Sequence, residues 1–356
     1  EHGPAPHALR RAHVGPRPRA RRRCPRRHAR PGRGRHDDAR RDPRDGVRTR
    51  GRRPRGVHGR RAGRRDRARR AGHLLAASEG YFADAGLDVT LRHHGASEDL
   101  FGALEAGEED VVVAGGDEML QARSQGVDVV SIATLYQDYP VVLIVPEDSD
   151  ITTPGDLSGR TVGVPGPFGE TYFGLLAMLD AAGLTDADVT IEHIGYTQQA
   201  ALSSGHVDAV MGFVNNDVPQ LEATRLDVRA IGLGADVPLV GISLGVAGDL
   251  IDADPEALRG LVTAVGRAVA DIAASPERAV EASRDFIPGT LTTDQEQVAL
   301  DTVTATVPLY GDVTGTWGAQ DDATWNAMAD FLLTTGLITS PVSAPEAHTN
   351  AFIASE

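Results

Sequence analysis

The chain has 356 residues and a net charge of −14, but that charge is divided: residues 1–70 hold 27 of the 36 arginines against six acids, and the remainder holds nine against 44. So acidic a body repels nucleic-acid phosphates instead of releasing their counterions, and no run of ~18 apolar residues offers a membrane span. The lone Cys24 leaves no intramolecular disulfide, and there is no lysine anywhere.

Residues 1–72 are expected to be disordered. They contain eight prolines up to Pro54, and their larger aliphatic residues up to Gly72 are only Leu9, Val14, Val47 and Val57. Such a segment buries too little surface to offset its ordering entropy. Three readings stand: an arginine-rich arm for nucleic acid or membrane, a native tail, or a stretch read out of frame from a GC-rich gene. The third fits best, because Arg, Pro, Gly, Ala and His dominate and the change to ordinary globular sequence at Gly72 is abrupt. On that reading the secretory signal, whose apolar core is missing here, and the first strand of the fold have been replaced.

From there the pattern alternates. A helix is expected over 74–82, a strand over 87–91, and a helix over 97–106 with Ser97 as N-cap and Gly107 as stop. Buried strands follow at 110–114, 127–135 and 141–145, rich in β-branched residues. A turn at 154–159 leads to a strand at 161–164. A helix over 169–182 then places Phe173, Leu176 and Leu179 on one face. Further strands are expected at 228–233 and 239–246. Asp254-Pro255 caps a helix whose stripe is Leu258, Leu261, Val262, Val265, Val269 and Ile272. Trp325, Met328, Ala329 and Leu332 form another stripe, closed by Gly336. Alternating strands and helices predict mostly parallel sheets.

Part of this pattern occurs twice. Val89-Thr90, a helix and Gly107-Glu-Glu-Asp110 recur as Val189-Thr190, a helix and Gly205-His-Val-Asp208. The offset is too long for a solenoid and fits two similar α/β lobes facing each other across a cleft. In parallel α/β sheets ligands sit beyond the carboxyl ends of strands, near helix N-termini. That rule selects Gly116, Asp117 and Glu118 after one strand and Tyr136 after another. It also selects Phe168, Gly169, Glu170 and Thr171 before the helix at 169, and Phe213, Asn215 and Asn216 in the second repeat. Asp117 also fits a plain helix cap, and Tyr136 and Phe213 also fit a core. Adjacent amides at 215 and 216 make a poor core and suit the edge of a heterocycle. His93-His94 and His193 lack metal-ligand spacing. Gly163, Gly166 and Gly169 match no nucleotide fingerprint, and there is no Gly-x-Ser-x-Gly nucleophile elbow.

Three stretches carry a resemblance: Glu79-Gly-Tyr-Phe-Ala-Asp-Ala-Gly-Leu-Asp-Val89, Gly126-Val-Asp-Val-Val-Ser-Ile132 and Pro154-Gly-Asp-Leu-Ser-Gly-Arg160. With Trp317-Gly-Ala-Gln320, Trp325 and Gly336-Leu-Ile338, the chain resembles ABC-transporter substrate-binding proteins of the NMT1/THI5-like, thiamine-pyrimidine-precursor type. The resemblance implies an α/β, two-lobed type II periplasmic-binding-protein fold that closes on its ligand by hinge motion. It implies lobe I at 73–150 and 240–356, lobe II at 151–239, and crossovers at 140–153 and 237–248. It also implies an extracytoplasmic monomer, periplasmic or anchored at the cell surface. Its partners would be a small-molecule ligand and a membrane permease, with no nucleic acid, cofactor or metal. Family ligands set the order of expectation: an aminopyrimidine first, a flavin second, a sulfonate-like anion third, since the acidic body without lysine disfavours anions. Eukaryotic relatives make the thiamine pyrimidine from a pyridoxal-phosphate-derived substrate. Schiff-base chemistry of that kind needs a lysine amine, so no enzyme is expected.

Overall fold

The computed structural model describes residues 67–92, 99–234, 237–286 and 291–354. Residues 1–66, expected to be disordered, lie outside the described residues, as do His93, His94 and Ser97. The expected disorder does not extend to 72: helix α1 (Arg67–Ser78) already begins at Arg67. Ala71 is buried in the core, and a Cβ on Gly72 would lie 3.2 Å from Val269. The apolar face that starts at Ala71 and runs through Leu74 and Leu75 therefore recruits the preceding arginine-rich turn into the helix. α1 also stops sooner than expected. Gly80 takes φ +75, and a short α2 (Tyr81–Asp84) restarts after it.

Residues 87–92 join no sheet among the described residues, although Leu87 and Val89 pack on the core and Arg92 pairs with Glu109. A strand needs a ladder partner, and side-chain packing of this kind does not supply one. Next come α3 (Leu100–Glu105), β1 (Val111–Gly115), α4 (Gly116–Ser124), β2 (Val129–Thr134) and β3 (Val141–Pro146). Asp99, not Ser97, caps α3, accepting from the Gly102 N–H at 3.0 Å. β4 (Thr161–Val164), α5 (Gly169–Ala181), β5 (Thr190–His193), α6 (Gln198–Ser203), β6 (Ala209–Phe213), α7 (Asp217–Glu222) and β7 (Val228–Gly232) follow. The turn before β4 is held by Asp156, which accepts from the backbone and hydroxyls of Thr152 and Thr153. Those donors, the backbone N–H groups foremost, hold its carboxyl down at about 2.

The repeat survives in detail. Gly107 and Gly205 both end their helices in the left-handed region, at φ +64 and +65. The next residues, Glu108 and His206, donate back to Ala103 and Ala201, each at 3.0 Å. A glycine at each stop is what that backbone conformation favours.

After β8 (Ile242–Ala247) the chain is helical: α8 (Gly248–Ala253), α9 (Pro255–Ala274), α10 (Glu277–Ser283), α11 (Thr293–Thr306), α12 (Asp322–Thr334) and α13 (Ala344–Ala347). Asp254 caps α9 as expected, and every residue of its predicted stripe is buried.

The strands form two sheets, in the orders β1-β8-β2 and β5-β4-β6-β3-β7. Mostly parallel pairing was expected, and here the structure differs. Only β4 with β5 and β4 with β6 run parallel; β8 runs antiparallel to both neighbours, and so does β3. Each sheet inserts one returning strand between its repeat strands, and a strand entering from the other half arrives in the opposite sense. β3 lies N-terminal to residue 150 yet is hydrogen-bonded in the five-stranded sheet. β3 thus falls within the crossover expected at 140–153 and carries the chain into the five-stranded sheet.

Candidate functional site

Two equivalent turns build the site. β1 runs straight into α4, and the last strand N–H, on Gly115, donates to Glu118 Oε2 at 3.1 Å. In the five-stranded sheet β6 ends at Phe213, whose N–H donates to Asp217 Oδ2 at 2.8 Å. In each case an acid in the first turn of the following helix accepts the strand's terminal donor, where the helix dipole also favours negative charge.

The first turn meets the N-terminus of α5, which follows β4. Asp117 is fully buried; its Oδ1 accepts from the Glu118 N–H at 2.7 Å and its Oδ2 from the Tyr139 hydroxyl at 2.6 Å. Tyr139 also reaches the Glu170 carbonyl at 3.2 Å. A Cβ on Gly115 would sit 2.3 Å from Asp117 Oδ1 and 3.0 Å from Glu170 Oε1, so both carboxylates flank a point that only glycine leaves open. Glu118 Oε1 lies 3.6 Å from the Cβ position of Gly169, which takes φ +72. Glycines 115 and 169 thus let two helix N-termini, one beside each sheet, approach closely around three carboxylates. Burial, and then the charges of Asp117 and Glu170, push the Tyr139 phenol well above its ordinary value. It therefore remains a donor at neutral pH.

The second turn reaches across as well. Val214 N–H donates to the Pro140 carbonyl at 2.9 Å, tying this turn to the segment that carries Tyr139. Asn215, 1% exposed, donates through Nδ2 to Thr306 Oγ1 of α11 at 2.9 Å, and α11 packs with α1 and α10 beside the three-stranded sheet. Its Oδ1 is buried with no hydrogen-bond partner among the described residues. A buried acceptor left so carries a cost of about 1–3 kcal/mol, which a ligand donor would remove. Asn216 is also buried, its Oδ1 accepting from Gln220 Nε2 at 2.8 Å.

The structure therefore brings Gly116, Asp117, Glu118, Gly169, Glu170 and the buried Thr171 together at one junction, and holds Asn215 and Asn216 at a second linked to it through Tyr139 and Pro140. The aromatic residues divide differently. Tyr136 is buried in the core, its ring 5.7 Å from that of Tyr310 at 60°. Phe213 is half-buried on the second core. Phe168 is 51% exposed, its ring crossing the Cβ position of Gly166, and Tyr196, beyond β5, is 47% exposed. Phe168 and Tyr196 are thus the exposed rings beyond the carboxyl ends of strands in the five-stranded sheet. Tyr310, whose burial raises its phenol pKa, has no hydrogen-bond partner for its hydroxyl among the described residues. Tyr139, Tyr196, Thr306 and Tyr310 were not among the expected site residues. Thr306 and Tyr310 lie at the end of a helix far along the chain, with no local motif to mark them.

Residues 68–279 match the profile described as NMT1/THI5 like, well over half of the chain. The chain belongs to the NMT1/THI5-like family. Within it, the riboflavin-binding protein RibY of Chloroflexus aurantiacus is 33% identical over 80% of this chain and 82% of its own. A formylaminopyrimidine-binding protein of Halalkalibacterium halodurans is 31% identical over 43% of this chain and 47% of its own. The periplasmic aliphatic sulphonate binding protein SsuA of Escherichia coli superposes with a TM-score of 0.64 at 19% identity, covering 78% of this chain and 88% of that one. The fold of this NMT1/THI5-like chain is the two-lobed type II periplasmic-binding-protein fold.

Proposed function

We propose that this chain is the extracytoplasmic solute-binding component of an ABC importer, holding an uncharged, flat, hydrogen-bonding heterocycle between its lobes for delivery to a permease. The observation that carries this reading is the meeting of strand-end turns from both sheets around buried polar groups, with Asn215 spanning to α11. Asn215 Oδ1 and the carboxylates of Glu118 and Glu170 are acceptors, which suits the N–H groups of a ring. The arginines that pair do so with Glu109, Asp128, Asp150, Glu147, Asp84, Glu79, Asp271 and Glu296, none of them a site residue. An anion would be desolvated beside the carboxylates of Asp117, Glu118 and Glu170, which argues against a sulfonate.

Between the two neutral chemistries, the flavin moves ahead of the aminopyrimidine, because the similarity to the riboflavin-binding relative spans nearly twice as much of the chain. Phe168 and Tyr196 supply flat surfaces of the kind a tricyclic ring stacks on. Pyrimidine synthesis is disfavoured because a chain without lysine cannot form the Schiff base that chemistry needs.

A thermal-shift panel of riboflavin, formylaminopyrimidine and an alkanesulfonate tests the reading. Riboflavin at about 100 times its dissociation constant should raise the melting temperature by roughly 5 °C or more, with the sulfonate inert. A shift with the sulfonate alone would overturn it.

A further inference from the structure

A groove of about 280 Å³ runs outward from Asn216 between α7, beside the five-stranded sheet, and α11. It continues the site already described, because Thr302 on its wall lies one helical turn before Thr306, the partner of Asn215. Its volume falls below the ~300–1,000 Å³ that houses a whole drug-sized ligand, so it suits part of one. Its chemistry is mixed in a specific way. Amide and hydroxyl groups come from Asn216, Gln220, Gln295 and Thr302, and an apolar strip comes from Val298 and Ala299. Gln220 is already oriented, donating to both the side chain and the carbonyl of Asn216 at 2.8 and 3.0 Å. Thr302 is buried; among the described residues no arginine lines the groove, and Asp294 is its one charged lining residue.

A chain of carbons bearing hydroxyls has just these needs: each hydroxyl both donates and accepts, and its C–H face is apolar. We infer that the groove holds the polyhydroxylated side chain of the ligand and selects the free alcohol against its phosphate ester. The inference rests on the flavin reading above and deepens it. Amides and threonine hydroxyls exchange hydrogen bonds with a neutral polyol. A terminal phosphate would bring about two negative charges beside Asp294, with no cation among the described lining residues to meet them.

The test is a set of fluorescence titrations of the full chain with riboflavin, with lumiflavin, which has the same isoalloxazine ring but a methyl in place of the polyol, and with riboflavin 5′-phosphate. Riboflavin should bind at least tenfold tighter than lumiflavin and at least tenfold tighter than the phosphate. The double variant Thr302→Val, Gln220→Leu should lose about tenfold for riboflavin and stay within twofold for lumiflavin. Equal binding of riboflavin and lumiflavin to the wild-type chain would overturn the groove while leaving the ring site standing. Equal binding of riboflavin and its phosphate would overturn the selectivity. If neither ring compound binds, the flavin reading falls and takes this inference with it. The wild-type comparisons decide the matter even if the double variant does not fold.

Discussion

Asn215→Leu is expected to weaken ligand binding by roughly 10- to 100-fold, the equivalent of about 1–3 kcal/mol, while leaving the folded protein nearly as stable as before. Leucine keeps the same branched heavy-atom skeleton but has neither hydrogen-bonding group. The ligand would then lose the buried acceptor Oδ1, and the link from the β6–α7 turn to α11 would go with it. Thr306 does not become an unsatisfied donor, because its hydroxyl already donates to the Thr302 carbonyl at 2.7 Å. Binding and stability should therefore separate: titration calorimetry reports the loss of affinity, and denaturant unfolding reports a change within about 1 kcal/mol. Equal losses in both would assign Asn215 a purely structural role.

Trp325→Ala should have the largest effect on stability, about 3–5 kcal/mol. The indole is 1% exposed in the core, and it stacks on His348 with ring centroids 4.9 Å apart and planes within 6°. On its other side it supports the site from behind, with Cη2 3.2 Å from where a Cβ on Gly116 would be. Alanine would leave a cavity directly under the first turn of α4, so ligand affinity should fall along with stability. Guanidinium unfolding of the variant checks the first effect and a ligand titration the second. Trp325→Phe, which keeps most of the packing, should lie between. A loss below about 1 kcal/mol for alanine would mean that the cavity collapses at little cost.

Much of this architecture could be read from the chain before any coordinates, because its cues are local. The helix stops at Gly107 and Gly205, the Asp254-Pro255 start and the stripes of α9 and α12 each depend on neighbours a few residues away. The repeat offset pointed to the two strand-end turns, and the structure joins Asp117 to Glu170 through Tyr139. What was not legible depends on distant partners. Strand direction within each sheet is set by β8 and β3 returning from the other half, which alternation along the chain does not encode. Residues 87–92 have strand-like composition but no ladder partner among the described residues. Ser97 looked like a cap, but Asp99 caps α3, since either side chain suits that role. Tyr136 fitted either a stacking ring or a core for the same reason: burial of an aromatic residue is decided by what packs over it, and here Tyr310 covers Tyr136 while Phe168 stays exposed.

On the proposed function, one planar ring lies between the turns of the two sheets. A crystal structure of the full chain with riboflavin tests this most directly. Ring density is expected within hydrogen-bonding distance of Asn215 Oδ1, with a carboxylate of Glu118 or Glu170 on its edge and the polyol running between α7 and α11. Ring density on an outer face, away from both the β1–α4 and β6–α7 turns, would contradict it.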